Sequence, residues 1–295
     1  MERYEGALLG LACGDAVGTT LEFRERGTFE PLTDMLGGGP FGLQPGEWTD
    51  DTSMALCLAE SLAIHGGFQA HDQMERYCRW RDEGYLSSTG RCFDIGNTVA
   101  GALGRFRDGG EPYSGSTHPR SAGNGSLMRL APVVLWYDPD RELALRYAAL
   151  SSKTTHGATE AVDACRYFAA VLLTALEGAS KERVLATPPP DDLAPAIEAI
   201  AAGSYRDKDV SGIESSGYVV HTLEAALWCF HRTDSYRDAV LAASNLGGDA
   251  DTTAAVCGQI AGAHYGAAGI PKEWKARIVL RGRIEQLAGA MRGGG

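Results

Sequence analysis

Apolar positions recur at helical spacing along most of this chain. In residues 3–18 they surround Gly10, Gly14 and Gly18, which fall on one stripe. Glycine costs roughly 1 kcal/mol relative to alanine inside a helix, so this stripe predicts close backbone approach by another helix or a ligand. Asp15, beside it, reads as a polar tip satisfied by a neighbouring backbone. Met54, Ala55, Leu58 and Leu62 predict a helix from Thr49 that Gly66-Gly67 ends. Further helices are expected at 69–81, from Val99 through Leu103 and Phe106, and at 140–150. A long buried one carries Val162, Cys165, Ala169, Leu172 and Leu176. The apolar run 130–137 fits strand or helix and is taken as helix because its surroundings are helical. After a Thr187–Asp191 linker come 193–201, then 219–230 with Leu223, Leu227 and Phe230 inward, 239–245, 252–265 and a final amphipathic helix over 274–291. With no repeat and no sustained alternation, the pattern predicts a single all-α domain over 1–295, of roughly a dozen helices, with 292–295 as a disordered tail.

The interruptions carry the polar chemistry. Residues 24–47 collapse into Gly, Pro and charge, including Gly37-Gly38-Gly39-Pro40. So long a loop inside a compact domain is usually functional or disordered, and a flap over a site is expected, with Glu22 at its root. Asp94, Gly96 and Asn97 precede the next helix, where backbone amides favour a phosphate or a reactive carboxylate; an ordinary Asp or Asn cap fits equally. Gly123-Asn124-Gly125 could gather amides on a phosphate oxygen, although alone it is usually a turn. His156 sits at a helix boundary among hydroxyls, and Tyr218 at a helix entry; taken alone, they read as a cap and a packing residue.

Two motifs organise the rest. Trp48-Thr49-Asp50-Asp51-Thr52 and Gly247-Gly248-Asp249-Ala250-Asp251-Thr252-Thr253 each set two carboxylates and a threonine hydroxyl just before a small-residue helix. Each alone could be an N-cap. Together they are hard oxygen donors suited to Mg²⁺, Mn²⁺ or Ca²⁺ rather than zinc, and four gathered carboxylates would repel without cations. His71-Asp72 superficially suggests a different metal phosphohydrolase, but the further ligands such an enzyme needs are not evident, and a solvated helix start explains it.

Composition narrows the partners. The formal net charge of −11 and the lack of any basic run argue against nucleic acid. The apolar share of 44% is enough for a large core. Seven scattered cysteines without a CxxC read as reduced thiols in a cytoplasmic protein. The N-terminus lacks signal-peptide character, and the apolar stretch from Leu8, broken by Asp15, is too short to span a bilayer.

With these motifs placed, the chain resembles the ADP-ribosylglycohydrolases of the group that includes dinitrogenase reductase-activating glycohydrolase. The resemblance covers nearly the whole length. It rests on Glu5-Gly6-Ala7 through Gly14-Asp15-Ala16-Val17-Gly18, the two Asp motifs, Gly123-Asn124-Gly125 with Met128-Arg129, and Thr155-His156-Gly157, in that order. It implies a compact orthogonal helical bundle with two Mg²⁺ or Mn²⁺ ions in a cleft. Thr49, Asp50 and Asp51 would bind them from one side, and Asp249, Asp251 and Thr252 from the other. Gly96, Asn97, Ser121, Gly123, Asn124, Gly125, Ser126 and His156 would hold the diphosphate and adjacent ribose of ADP-ribose, and Tyr218 would stack on adenine.

The implied reaction cleaves the bond between the anomeric carbon and an arginine guanidinium nitrogen on a modified protein, releasing ADP-ribose. Asp94 is the first candidate for the carboxylate that stabilises the cationic sugar or takes a proton from water; Glu22 is the second. Two rival readings remain: the same chemistry on a serine, nucleobase or small-ester linkage, and a non-catalytic ADP-ribose-binding module.

Overall fold

The structure, a computed structural model, describes residues 1–292. Those residues form fourteen α-helices and no strand beyond isolated bridges. In chain order the first seven are α1 (Glu2–Gly18), α2 (Asp50–His65), α3 (Ala70–Glu83), α4 (Asn97–Gly109), α5 (Ala131–Tyr137), α6 (Arg141–Lys153) and α7 (Thr159–Leu176). They are followed by α8 (Lys181–Leu185), α9 (Pro195–Ala201), α10 (Val219–Arg232), α11 (Tyr236–Ser244), α12 (Ala250–Tyr265), α13 (Lys272–Arg277) and α14 (Arg281–Met291). The all-α expectation holds. One hydrophobic cluster draws on buried residues from Ala7 to Met291.

The central pair is α1 against α12, and the glycine stripe explains it. A Cβ on Gly10 would lie 2.3 Å from the carbonyl oxygen of Gly258, and one on Gly14 2.2 Å from that of Ala254. In return, a Cβ on Gly258 would lie 2.1 Å from the carbonyl of Gly10. Backbone therefore meets backbone along the stripe, and the close approach that the glycines predict is to a helix rather than a ligand. This contact sets the C-terminal end of α1, with Asp15, beside the N-terminus of α12, with Asp249 and Asp251. The N-terminus of α2 joins them there, tied to Asp15 by hydrogen bonds.

Three local expectations change. The final helix is two: Leu280 takes a left-handed conformation (φ 54°) between α13 and α14. The break serves the 24–47 segment, because the Val279 amide donates to Gly46 O at 3.0 Å and Trp48 Nε1 donates to Val279 O at 3.2 Å. α6 runs on to Lys153, so the interruption before α7 is shorter than 151–157. The short α8, capped by Ser180, has too few residues to show a period.

The 24–47 segment is a strap, and none of its residues lines the cleft described below. The Gly248 amide donates to Arg24 O at 2.8 Å, Asn245 exchanges two hydrogen bonds with the Leu32 backbone, and Arg277 pairs with Asp34 at 3.1 Å. The Phe41 ring packs 5.1 Å from that of Phe93, beside Asp94. Of the expected tail, Arg292 closes α14 and 293–295 lie outside the described residues. No helix among the described residues is long and apolar enough to cross a membrane.

Candidate active site and metal centre

A cleft of about 770 Å³ opens where α2, α4 and α12 begin. These helix N-termini aim amide dipoles at the cleft, so the same ends that carry the carboxylates also favour anions. Asp251 and Thr252 line it, and Thr49 and Asp51 lie fully buried against them. Thr49 Oγ1 is 3.3 Å from Asp51 Oδ2 and 3.4 Å from Asp251 Oδ2, and Thr252 Oγ1 is 3.4 Å from Asp51 Oδ2. Two motifs some two hundred residues apart thus share one oxygen cluster. Asp50 and Asp249 face the cleft wall, where Asn124 Nδ2 donates to Asp249 Oδ2 at 2.6 Å.

Glu22, Asp94 and Asp251 form an overlapping group, with ligand oxygens all within 4.8 Å of one another. Burial pushes the Glu22 carboxyl up to about 9, helped by the charges of Asp94 and Asp249. Burial and the charges of Asp249 and Asp15 push Asp94 up to about 7. Asp50, Asp51 and Asp251 are raised well above the carboxylate range for the same two reasons, desolvation first and like charge second. Asp51 Oδ1, Asp251 Oδ1 and Glu22 Oε2 are buried and accept no hydrogen bond. Crowded, desolvated, unpartnered carboxylate oxygens are a donor set that cations would complete. The residues fit a hard divalent metal.

Backbone strain also collects here. Asp94 has φ 59° and Phe23 φ 61°; such left-handed non-glycine residues cluster at functional sites. The Phe23 amide donates to Gly248 O at 2.7 Å, which holds Glu22 on the cleft wall.

The phosphate-binding candidates divide. Gly96, Asn97, Gly123, Asn124, Gly125 and His156 line the cleft. Ser126 does not: its hydroxyl is engaged inside the core, accepting from Ser152 Oγ at 2.8 Å. Ser121 and Tyr218 lie in an adjoining hollow of about 600 Å³, which shares Gly123 and Gly217 with the cleft. There Tyr218 OH donates to Glu160 at 2.8 Å.

Asp15 is the residue that sequence reasoning undervalued. It is buried and accepts from the amides and hydroxyls of both Thr49 and Thr52, at 2.6–3.0 Å. A carboxylate within the buried run from Gly6 to Gly18, between Gly14 and Gly18, was the available signal. Its partners are too distant in sequence to be read from it.

The sequence model of the ADP-ribosylglycohydrolases matches residues 1–294. The chain belongs to the ADP-ribosylglycohydrolase family. Its similarity to the ADP-ribosylarginine hydrolase Tri1 of Pseudomonas putida is 47% identity over 288 residues, 98% of this chain and 77% of that protein. The ADP-ribosyl-(dinitrogen reductase) glycohydrolase of Rhodospirillum rubrum is 31% identical, with 95% of this chain and 91% of that one covered. A solved ADP-ribosylglycohydrolase-related protein complex superposes with a TM-score of 0.86 at 45% identity, over 99% of this chain and 97% of that chain. Among these glycohydrolases, the Tri1 relative carries the arginine linkage in its name.

Proposed function

We propose that this chain hydrolyses the N-glycosidic bond between ADP-ribose and an arginine side chain of a modified protein, reversing mono-ADP-ribosylation. The observation that carries the reading is the shared oxygen cluster of Thr49, Asp51, Asp251 and Thr252. It occurs in a chain 47% identical to a protein named ADP-ribosylarginine hydrolase.

In this reading Thr49, Asp50 and Asp51 from one side, and Asp249, Asp251 and Thr252 from the other, hold two divalent cations, Mg²⁺ or Mn²⁺. Such ions supply Lewis acidity and an acidified water. The chain's own groups do the rest. Asp94 takes the proton of the attacking water and passes it to the departing guanidine nitrogen as the C1″–N bond breaks and the C1″–O bond forms. Glu22, within 4.8 Å of Asp94 and Asp251, is the second carboxylate facing the cationic sugar. Asn124 orients Asp249 by its 2.6 Å hydrogen bond. The Gly123–Ser126 turn and His156 take the diphosphate, and the hollow with Ser121 takes the adenosine, with Tyr218 stacking on the base while Glu160 anchors its hydroxyl. The chain works as one domain in a reducing cytoplasm, consistent with seven unpaired cysteines.

The test is linkage. The protein is given a mono-ADP-ribosyl-arginine protein and, separately, an ADP-ribosyl-serine peptide, and free ADP-ribose is measured. Release from arginine alone supports the reading, and release from serine alone reassigns the bond. Binding of ADP-ribose without release from either substrate ends the arginine reading and leaves a binding module or a hydrolase of a nucleobase or ester linkage.

A further inference from the structure

Beneath the Gly123–Ser126 turn lies a guanidinium with no carboxylate among its hydrogen-bond partners. Arg129 is completely buried. It donates from Nη1 to Gly125 O at 2.7 Å and from Nη2 to Thr155 Oγ1 at 2.7 Å, with longer contacts to Ser151 O and Thr154 Oγ1. The Tyr77 ring covers it, 4.8 Å from the ring centroid, and its Nε has no partner. A buried charge compensated only by neutral dipoles is expensive, and the fold keeps one directly under the turn that faces the cleft.

Arg129 acts upward along two routes. By pinning the Gly125 carbonyl inward, it fixes a turn whose Gly125 and Ser126 amides donate to no backbone carbonyl among the described residues. Its second route runs through Thr155 to His156. Thr155 Oγ1, already accepting from Arg129, lies 2.9 Å from His156 Nδ1. Nδ1 is the one acceptor among the described hydrogen bonds for the Thr155 hydroxyl proton. With Nδ1 accepting from that hydroxyl, the imidazole proton belongs on Nε2, which lies against Gly123 and Gly125; a Cβ on Gly125 would come within 2.7 Å of the ring. Burial and the Arg129 charge push His156 down to about 3, so the ring remains a neutral donor.

We propose that Arg129 is a positioning residue for the diphosphate: through Thr155 it fixes His156 as the Nε2–H tautomer, and it places a buried positive charge where a diphosphate on the turn neutralises it. This rests on the ligand assignment made above. Arg129 touches no substrate; it sets the donors that do.

The test has two readouts on the whole protein. The first is the His156 tautomer in ligand-free protein, read from ¹⁵N–¹H correlations and assigned by its loss in His156→Gln. Expected is a protonated Nε2 and an unprotonated Nδ1 in the native protein, and a tautomer mixture in Thr155→Val. The second is calorimetric affinity for ADP-ribose and for adenosine. Loss of charge-assisted support in Arg129→Met should weaken ADP-ribose roughly tenfold or more and leave adenosine within about twofold. Should Arg129→Met fail to fold, Thr155→Val, which conserves volume, carries the same comparison. A native Nδ1–H tautomer, or ADP-ribose and adenosine weakened by the same factor, overturns the proposal. Native protein that binds no ADP-ribose refutes instead the ligand assignment, while the tautomer result stands by itself.

Discussion

Asp15 Oδ1 lies 2.9 Å from both the amide nitrogen and the hydroxyl oxygen of Thr49. The hydroxyl proton is thereby drawn away from the cleft, and the lone pairs of Thr49 Oγ1 are left facing Asp51 and Asp251. Such outer partners typically tune metal affinity 10–100-fold. Asp15→Asn replaces one accepting oxygen with a donor, so Mn²⁺ affinity, measured by calorimetry or electron paramagnetic resonance, should fall by roughly that factor. Unchanged affinity would remove Asp15 from the site.

Asp94→Asn conserves shape and removes the proposed base. Turnover should fall about 10²- to 10⁴-fold, the usual scale of general-base loss, while the Kd for ADP-ribose stays near native. Single-turnover rates and calorimetry check the two halves separately. A near-native rate would transfer the role to Glu22.

Metal removal should destabilise the protein. Asp51 Oδ1 and Asp251 Oδ1 are buried without partners, and a ligand bound at 100 times its Kd adds about 2.7 kcal/mol to stability. Chelator should therefore lower Tm, and Mn²⁺ should restore it. In Asp51→Asn the response to added metal should shrink. A Tm indifferent to chelator and metal would speak against a cation at this cluster.

His156 predicts a pH dependence. Burial first, and the Arg129 charge second, hold its folded pKa at about 3, below the 6.5 of a free imidazole. Below about pH 6.5 the unfolded chain gains a proton that the native state refuses, so stability falls as pH drops toward 3. At about 1.4 kcal/mol per pH unit, native protein should lose roughly 2 kcal/mol more than His156→Gln between pH 7 and pH 5. Urea titrations at both pH values test this, and parallel losses in the two proteins would show that His156 is accessible to protons when folded.

Gly10→Ala tests the α1–α12 contact. The new Cβ would meet the Gly258 carbonyl at 2.3 Å, where backbone cannot swing aside. Overpacking typically costs about 1–3 kcal/mol and opposes the roughly 1 kcal/mol gain in helix propensity. A net loss in urea unfolding is expected, and a stabilised variant would mean the helices can separate.

These residues also mark what the sequence makes legible. The two Asp motifs are local, each complete within a few residues, and the structure brings both to one cluster. The glycine stripe of α1 announces a close partner, but only the fold identifies it as α12. Asp15 and Arg129 escape a local reading because they act on Thr49, 34 positions on, and on Thr155, 26 positions on. The 24–47 strap resembles a flap in composition. Its position is set by Asn245, Gly248 and Arg277, whose contacts no local pattern records, and separate hydrogen bonds from Val279 to Gly46 and from Trp48 to Val279 accompany the split of the last helix at Leu280.

The most direct test is release of free ADP-ribose from an arginine-modified protein by metal-stripped enzyme, before and after adding Mg²⁺ or Mn²⁺. The structure predicts negligible release without metal, recovery on adding either ion, and no recovery in Asp251→Asn. Full release in the presence of chelator, or a native rate in that variant, would contradict the view that the paired Asp motifs hold the metals that drive cleavage.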